Sequence, residues 1–225
     1  MINKPNKHKS NWNLTQNLNY HFIGIAGVAM GQVAVDLKKC GYNVTGSDMG
    51  VYSPMKEILD GAGIKTMSPF SPDNVNNDGL VIVGNAISRG NAELEEVLSR
   101  RIPYTSMVEL IRWGVLQSRK NLVVTGTHGK TTTTALTAHI LESGGFDPGY
   151  MIGGKPFNFD SGFSSKGDEW FVIEGDEYDI AFFDKRPKFL QYLPFGVVIN
   201  NIEYDHSDIY DSLEQILDGF RKLLR

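Results

Sequence analysis

Short apolar runs and longer mixed stretches take turns along this chain. "YHFIGI" (20–25) has the length and apolar content of a buried strand, and Val28 to Cys40 reads as the helix after it. The succession then repeats. "YNVTGSD" (42–48) is a strand, Pro54 to Gly61 a helix, "GLVIVG" (79–84) a strand, and Ala92 to Arg100 a helix ended by Ile102-Pro103. Met107 to Leu116 is a further helix. Leu122-Val123-Val124 is another strand, followed by a helical pattern from Lys130. Strands near 150–153, 169–173 and 195–200 and a helix from about 211 to 224 complete the reading. Alternation of this kind predicts α/β architecture with parallel, doubly wound sheets. The polar break Gln117-Ser118-Arg119-Lys120 marks a domain boundary, giving domains at 20–118 and 119–225. Residues 1–19 read as a flexible, Asn-rich extension in which Trp12 and Leu14 are the candidates to dock.

Composition narrows the classes. Of the 225 residues 41% are hydrophobic and 21% charged, which suits a globular protein with a substantial core. The net charge of −4 argues against a general nucleic-acid or membrane-surface binder. No apolar run approaches the roughly 18 residues of a membrane helix, and the N-terminus shows no secretion signal. Cys40 stands alone, so no internal disulfide forms, which fits a reducing compartment and a cytoplasmic protein.

The strand at 122–124 breaks into a helix through Gly126-Thr127-His128-Gly129-Lys130-Thr131. Glycines let a backbone wrap an anion, and a helix N-terminus offers unpaired N–H groups and a positive dipole end. The Lys130 ammonium belongs on outer phosphates and the Thr131 hydroxyl on Mg²⁺. The strict phosphate-loop spacing wants Gly at position 124, where Val124 stands, so this is a shorter variant. Thr132 is a further phosphate candidate; for Thr133 and Thr134 plain packing serves as well.

Three other stretches carry chemistry. "GIAGVAMG" (24–31) follows a strand and opens a helix as a dinucleotide fingerprint does, although Ala26 and Ala29 occupy two of its glycine positions. Asp48 falls near the place of a ribose-binding acid. "EWFVIEGDEYD" (169–179) runs a buried strand into Glu174, Asp176, Glu177 and Asp179; Glu174, where the strand emerges, is the best metal ligand, and the other three read singly as a solvated acidic turn. "VVINNIEYDHSDIY" (197–210) ends a strand in Asn200, Asn201, Glu203, Asp205, His206 and Asp208; His206 is a candidate ligand, and an Asn here suits phosphate or water.

In this order the motifs resemble the Mur ligase family of peptidoglycan synthesis, over roughly residues 20 to 225. The resemblance implies a Rossmann-like parallel-sheet N-terminal domain that binds a UDP-sugar, then a P-loop ATPase-like central domain, present here in its first part. It also implies a C-terminal domain lying beyond Arg225. The implied reaction is ATP-driven amide ligation through an acyl phosphate. Gly126, Thr127, His128, Gly129, Lys130, Thr131 and Thr132 would hold ATP. Thr131, Glu174 and His206 would bind Mg²⁺, with Lys130, Glu174 and His206 as the catalytic set. Gly24, Gly27, Met30, Asp48 and Asn85 would contact UDP-N-acetylmuramate. "VIVGNAISRGN" (81–91) and "DIAFFDKRPKF" (179–189) look most like members that attach L-Ala-γ-D-Glu-meso-diaminopimelate in murein recycling; members that attach L-alanine come next. The resemblance implies no nucleic-acid or membrane partner, and it leaves this chain alone inactive in ligation.

Two other classes stay open. One is a non-catalytic UDP-sugar-binding module, against which intact Lys130, Thr131, Glu174 and His206 argue. The other is an NAD-dependent oxidoreductase, weakened by Ala26 and Ala29.

Overall fold

The computed structural model describes residues 12–154, 156–204 and 212–225. Its first half is a five-stranded sheet of β1 (Asn19–Ile23), β2 (Asn43–Ser47), β3 (Lys65–Met67), β4 (Gly79–Val83) and β5 (Tyr104–Ser106). The strand order is β3-β2-β1-β4-β5 and all pairs are parallel. Parallel neighbours require crossovers. Here α1 (Val28–Lys39), α2 (Met55–Gly61) and α3 (Ala92–Ser99) serve, and α4 (Met107–Gly114) follows β5. Helices on both faces explain why the central strand β4, GLVIV, is apolar throughout rather than alternating. Phe22 and Ile82 enter one core cluster, while Ile23, Val81 and Val83 face the other.

The second half holds β6 (Lys120–Thr125), α5 (Lys130–Ser143), β7 (Gly149–Met151), β8 (Phe163–Ser164) and β9 (Trp170–Gly175). A separate antiparallel hairpin, β10 (Asp179–Ala181) and β11 (Asp184–Pro187), precedes β12 (Pro194–Ile199) and α6 (Leu213–Leu223). The sheet order is β12-β6-β9-β7-β8, parallel except for the β7–β8 pair.

Both sheets and all six helices were expected from the periodicity. The short edge strands β3, β5 and β8 and the β10–β11 hairpin were not. They have too few apolar positions to show a period, and tertiary pairing alone makes them strands. The start of β6 also moves back to Lys120, because Asn121, polar and buried, donates to the Leu116 and Leu193 carbonyls and so belongs inside the sheet.

Trp12 does dock, and it ties the two halves together. It is 3% exposed, its Nε1 donates to Asp36 of α1 at 2.7 Å, and its ring lies 5.8 Å from that of Phe163. Asp36 in turn accepts from the Ser165 backbone N–H at 3.2 Å. Gly114 makes room: a Cβ there would stand 2.5 Å from the indole. Residues 12–18 therefore pack as part of the folded body, and residues 1–11 lie outside the described residues. Trp12→Ala should cost about 3–5 kcal/mol in urea unfolding, the usual range for a buried Trp, while Trp12→Phe should cost clearly less. A loss below about 1 kcal/mol for the alanine variant would mean that the ring contributes little at the seam.

Candidate active site

Parallel strands end together, and β12, β6 and β9 end in register. Val124 pairs with Glu174 and Val198, and Thr125 with Gly175 and Ile199. The loop after β6, the carboxylate of β9 and the asparagines after β12 therefore meet at one edge, where open α/β sheets bind ligands.

The loop is Gly126 to Gly129. Both glycines have positive φ, +124° and +77°. A Cβ on Gly126 would stand 2.7 Å from the Asn201 carbonyl oxygen, so the chain leaving β12 approaches as closely as a glycine allows. Asn201 Oδ1 accepts from His128 N–H at 2.8 Å, and its carbonyl accepts from Thr127 N–H at 3.1 Å. Asn200 Nδ2 donates to the His128 carbonyl and to Thr133 Oγ1, each at 3.1 Å. These asparagines brace the loop. Helix α5 makes its first turn bond from Thr133 N–H to Gly129 O, so the N–H groups of Lys130, Thr131 and Thr132 lie ahead of the intrahelical ladder. Thr131 and Thr132 are exposed there, while Thr134 is buried and donates back to Lys130 O at 2.8 Å. His128 is exposed at the loop tip, with Nε2 3.9 Å from Glu203.

Lys130 Nζ folds back onto Gly126 O at 2.8 Å and Thr127 O at 3.3 Å. It also bonds Glu177 at 3.0 Å, with both side chains nearly out of solvent. This corrects the expectation of a solvated acidic turn. Glu177 is 3% exposed and pairs with Lys130; Asp176 pairs with Lys188 at 3.1 Å and Asp179 with Lys185 at 2.6 Å. The turn is a row of acids each matched to its own ammonium. No sequence-local signal could have shown it, because Lys130 lies 47 positions from Glu177.

Glu174 is placed as expected, at the emergence of β9. Its Oε1 accepts from Thr131 Oγ1 at 2.9 Å and its Oε2 from Gly153 N–H at 2.7 Å. Burial pushes its carboxyl above the ordinary carboxylate range, against the pull of the Gly153 N–H, and Asp176 adds to the rise. His206 lies outside the described residues. Among those described, no three His, Cys, Asp or Glu side chains cluster as a metal site. The Thr131 hydroxyl and Glu174 carboxylate do suit a hard cation that keeps waters and takes phosphate oxygens.

In the first half, the strand order reverses between β1 and β4, and Gly24 and Asn85 follow those two strands. Gly24 and Ile25 donate backbone N–H groups to Ser47 O, and Asp48 Oδ2 accepts from Ala26 N–H at 2.9 Å. Asp48 thus holds the Gly-rich turn, with its other oxygen on Met49 N–H at 2.8 Å. Gly27 precedes α1, Asn85 is exposed at the same edge, and Met30 is buried in the core beneath. Between the halves lies a cavity of about 330 Å³, walled by Val28, Ala29 and Gln32 of α1 on one side and by Gly153, Glu174 and Lys188 on the other.

Comparison with known proteins agrees with this layout. The model of the Mur ligase family catalytic domain matches residues 19–117, and that of the Mur ligase middle domain matches residues 124–225. The crystal structure of UDP-N-acetylmuramate:L-alanyl-gamma-D-glutamyl-meso-diaminopimelate ligase from Neisseria meningitides superposes with a TM-score of 0.87 at 38% identity, over 92% of this chain and 68% of that one. The chain belongs to the Mur ligase family. An Escherichia coli ligase of the same name is 45% identical over 91% of this chain. The Thermotoga maritima UDP-N-acetylmuramate-alanine ligase gives a TM-score of 0.75 at 27% identity, over 92% of this chain and 47% of that one. This Mur ligase chain spans about half the length of the curated relatives it matches, 45% for the E. coli protein. No described helix is long and apolar enough to cross a membrane.

The raised carboxyl of Glu174 has a consequence for stability. Below the ordinary carboxylate pKa the group is protonated whether folded or not, and it costs nothing. As pH rises, the unfolded chain ionises first, so stability falls between the ordinary and the raised pKa, and the penalty persists above. Glu174→Gln removes it. In thermal melts without nucleotide or metal, the variant's Tm advantage over wild type should grow from about pH 4 towards neutrality. A difference independent of pH would show that burial of Glu174 does not disfavour its charge.

Proposed function

We propose that this chain is the substrate-binding and ATP-binding part of an amide ligase that joins a peptide to UDP-N-acetylmuramate. In this reading residues 20–118 hold the UDP-sugar, with Gly24, Gly27, Asp48 and Asn85 at the switch point. Residues 119–225 begin the ATP domain. The observation that carries it is the position of Glu174. This one carboxylate touches Thr131 at the head of the phosphate loop and also walls the cavity that α1 of the first half closes. A terminal phosphate on the loop and an acid on a sugar held by the first half meet there.

The chemistry follows from that meeting. A carboxylate is a poor electrophile. Attack of its oxygen on the γ-phosphorus breaks the bond to the bridging oxygen, releases ADP and leaves an acyl phosphate. An incoming amine adds to the acyl carbon, and collapse of the tetrahedral adduct expels phosphate, forms the amide and gives up the amine proton. The protein positions the groups and balances charge. The N–H groups opening α5 and the Lys130 ammonium hold the phosphates, with Lys130 leaving Glu177 for them. The Thr131 hydroxyl and Glu174 carboxylate would hold Mg²⁺, which would offset charge on the transferring phosphate. His206 is kept as a third metal ligand. Since ATP and UDP-activated sugars are made in the cytoplasm, the reaction belongs there.

The tripeptide L-Ala-γ-D-Glu-meso-diaminopimelate is the preferred acceptor. Its support is the 45% identity to ligases so named, against 36–38% for several L-alanine ligases. L-Alanine is the second reading. In a full-length ligase carrying this chain, Lys130→Ala should lower the ligation rate about 10²–10³-fold while UDP-N-acetylmuramate affinity stays within about twofold, measured by ADP release and calorimetry. Ligation within tenfold of wild type would remove Lys130 from the phosphates.

A further inference from the structure

The cavity between the halves poses a charge problem. Glu174 and Asp176 both wall it, and a ligand carboxylate entering beside two carboxylates is repelled. Among the described residues lining the cavity, the cation is Lys188. Lys130 serves elsewhere, folded inside the phosphate loop.

Lys188 is built in rather than draped over the surface. It opens the short 3-10 turn Lys188–Gln191 directly after β11 and is 8% exposed. Its Nζ sits 3.1 Å from Asp176 Oδ2 and 3.9 Å above the centre of the Tyr178 ring. An ammonium has three donors, and Asp176 accepts one. A lysine held in one place by a carboxylate and an aromatic face gives up little further freedom on binding an anion.

We propose that Lys188 receives the carboxylate of the sugar acid, the same carboxylate that is to be phosphorylated. The proposal rests on the ligase reading above and adds to it a division of labour between two lysines. Lys130 would hold phosphate and Lys188 the acceptor acid. Glu174 Oε1 lies 2.9 Å from Thr131 Oγ1 on the phosphate side, and Lys188 lines the same cavity as Glu174. A carboxylate bound to Lys188 is therefore beside the end of a nucleotide bound on α5. The contact also selects substrate, because a UDP-sugar without the lactyl acid gains nothing from it.

The test uses that difference. Calorimetry on this chain would compare UDP-N-acetylmuramate with UDP-N-acetylglucosamine, which lacks the lactyl carboxylate. Wild type should favour the muramate. Lys188→Met keeps the unbranched stem and should weaken muramate binding about 10- to 100-fold, the loss of one charge-assisted hydrogen bond. Binding of the glucosamine should stay within about twofold, which also shows that the variant is folded. Lys188→Arg should recover part of the loss. Should Lys188→Met fail to fold with Asp176 left unpaired, the double variant Asp176→Asn/Lys188→Met gives the same comparison without a stranded charge. An unchanged muramate affinity, or equal losses for both sugars, overturns the role of Lys188. Wild type binding neither sugar overturns the ligase reading itself, and this proposal with it.

Discussion

Lys130 sits among oxygens, and much of the second half follows from keeping an ammonium there. A cation withdrawn from water is tolerable only when paired and hydrogen-bonded. Two loop carbonyls and the Glu177 carboxylate do this at 2.8 to 3.3 Å. Glu177 in turn has to be buried, which sets the path of the chain after β9 and turns its neighbours Asp176 and Asp179 towards lysines of their own. The loop itself is held from the other side by Asn200 and Asn201. In the proposed reading, a phosphate arriving at α5 would replace one anionic partner of Lys130 by another. The Lys130 side chain is already mostly withdrawn from water without a ligand, at 11% exposure, so on that reading the exchange of partners is the main step left to drive.

Much of this was legible in the chain. Glycine, lysine and threonine at a strand-to-helix turn have a local physical meaning, and so does an acid where an apolar strand ends. The strands β1, β4, β6 and β9 are buried on both faces, so their apolar runs are unbroken and easily read. What escaped notice depends on contacts far apart in sequence. The ion pairs at Glu177 and Asp176 and the bracing of His128 by Asn201 join residues 12 to 73 positions apart. The bracing role of Asn200 and Asn201 is equally hidden, because an amide after a strand looks the same in sequence whether it faces a ligand or a neighbouring loop. The β10–β11 hairpin, too polar to show a strand period, emerged only once paired.

That hairpin also shows how the cavity keeps its shape. On one flank Phe182 and Phe183 stack and meet edge-on with Tyr104 of β5, at 6.4 and 5.3 Å between ring centres. On the other, Trp12 and the Ser165 backbone both bond Asp36 of α1. Arg112 of α4 reaches Gln191 between them. Three seams, two of them aromatic, join the halves around the cavity, and none of them uses a residue of the loop Gly126–Gly129 or Glu174. The sugar-side wall and the phosphate-side wall are therefore positioned by contacts separate from the chemistry. Pre-organisation of this kind matters for phosphoryl transfer, where placing the attacking oxygen in line with the phosphorus supplies much of the rate. On the proposed reading, it would also let the acids and lysines around Glu174 exchange partners without moving the two halves apart.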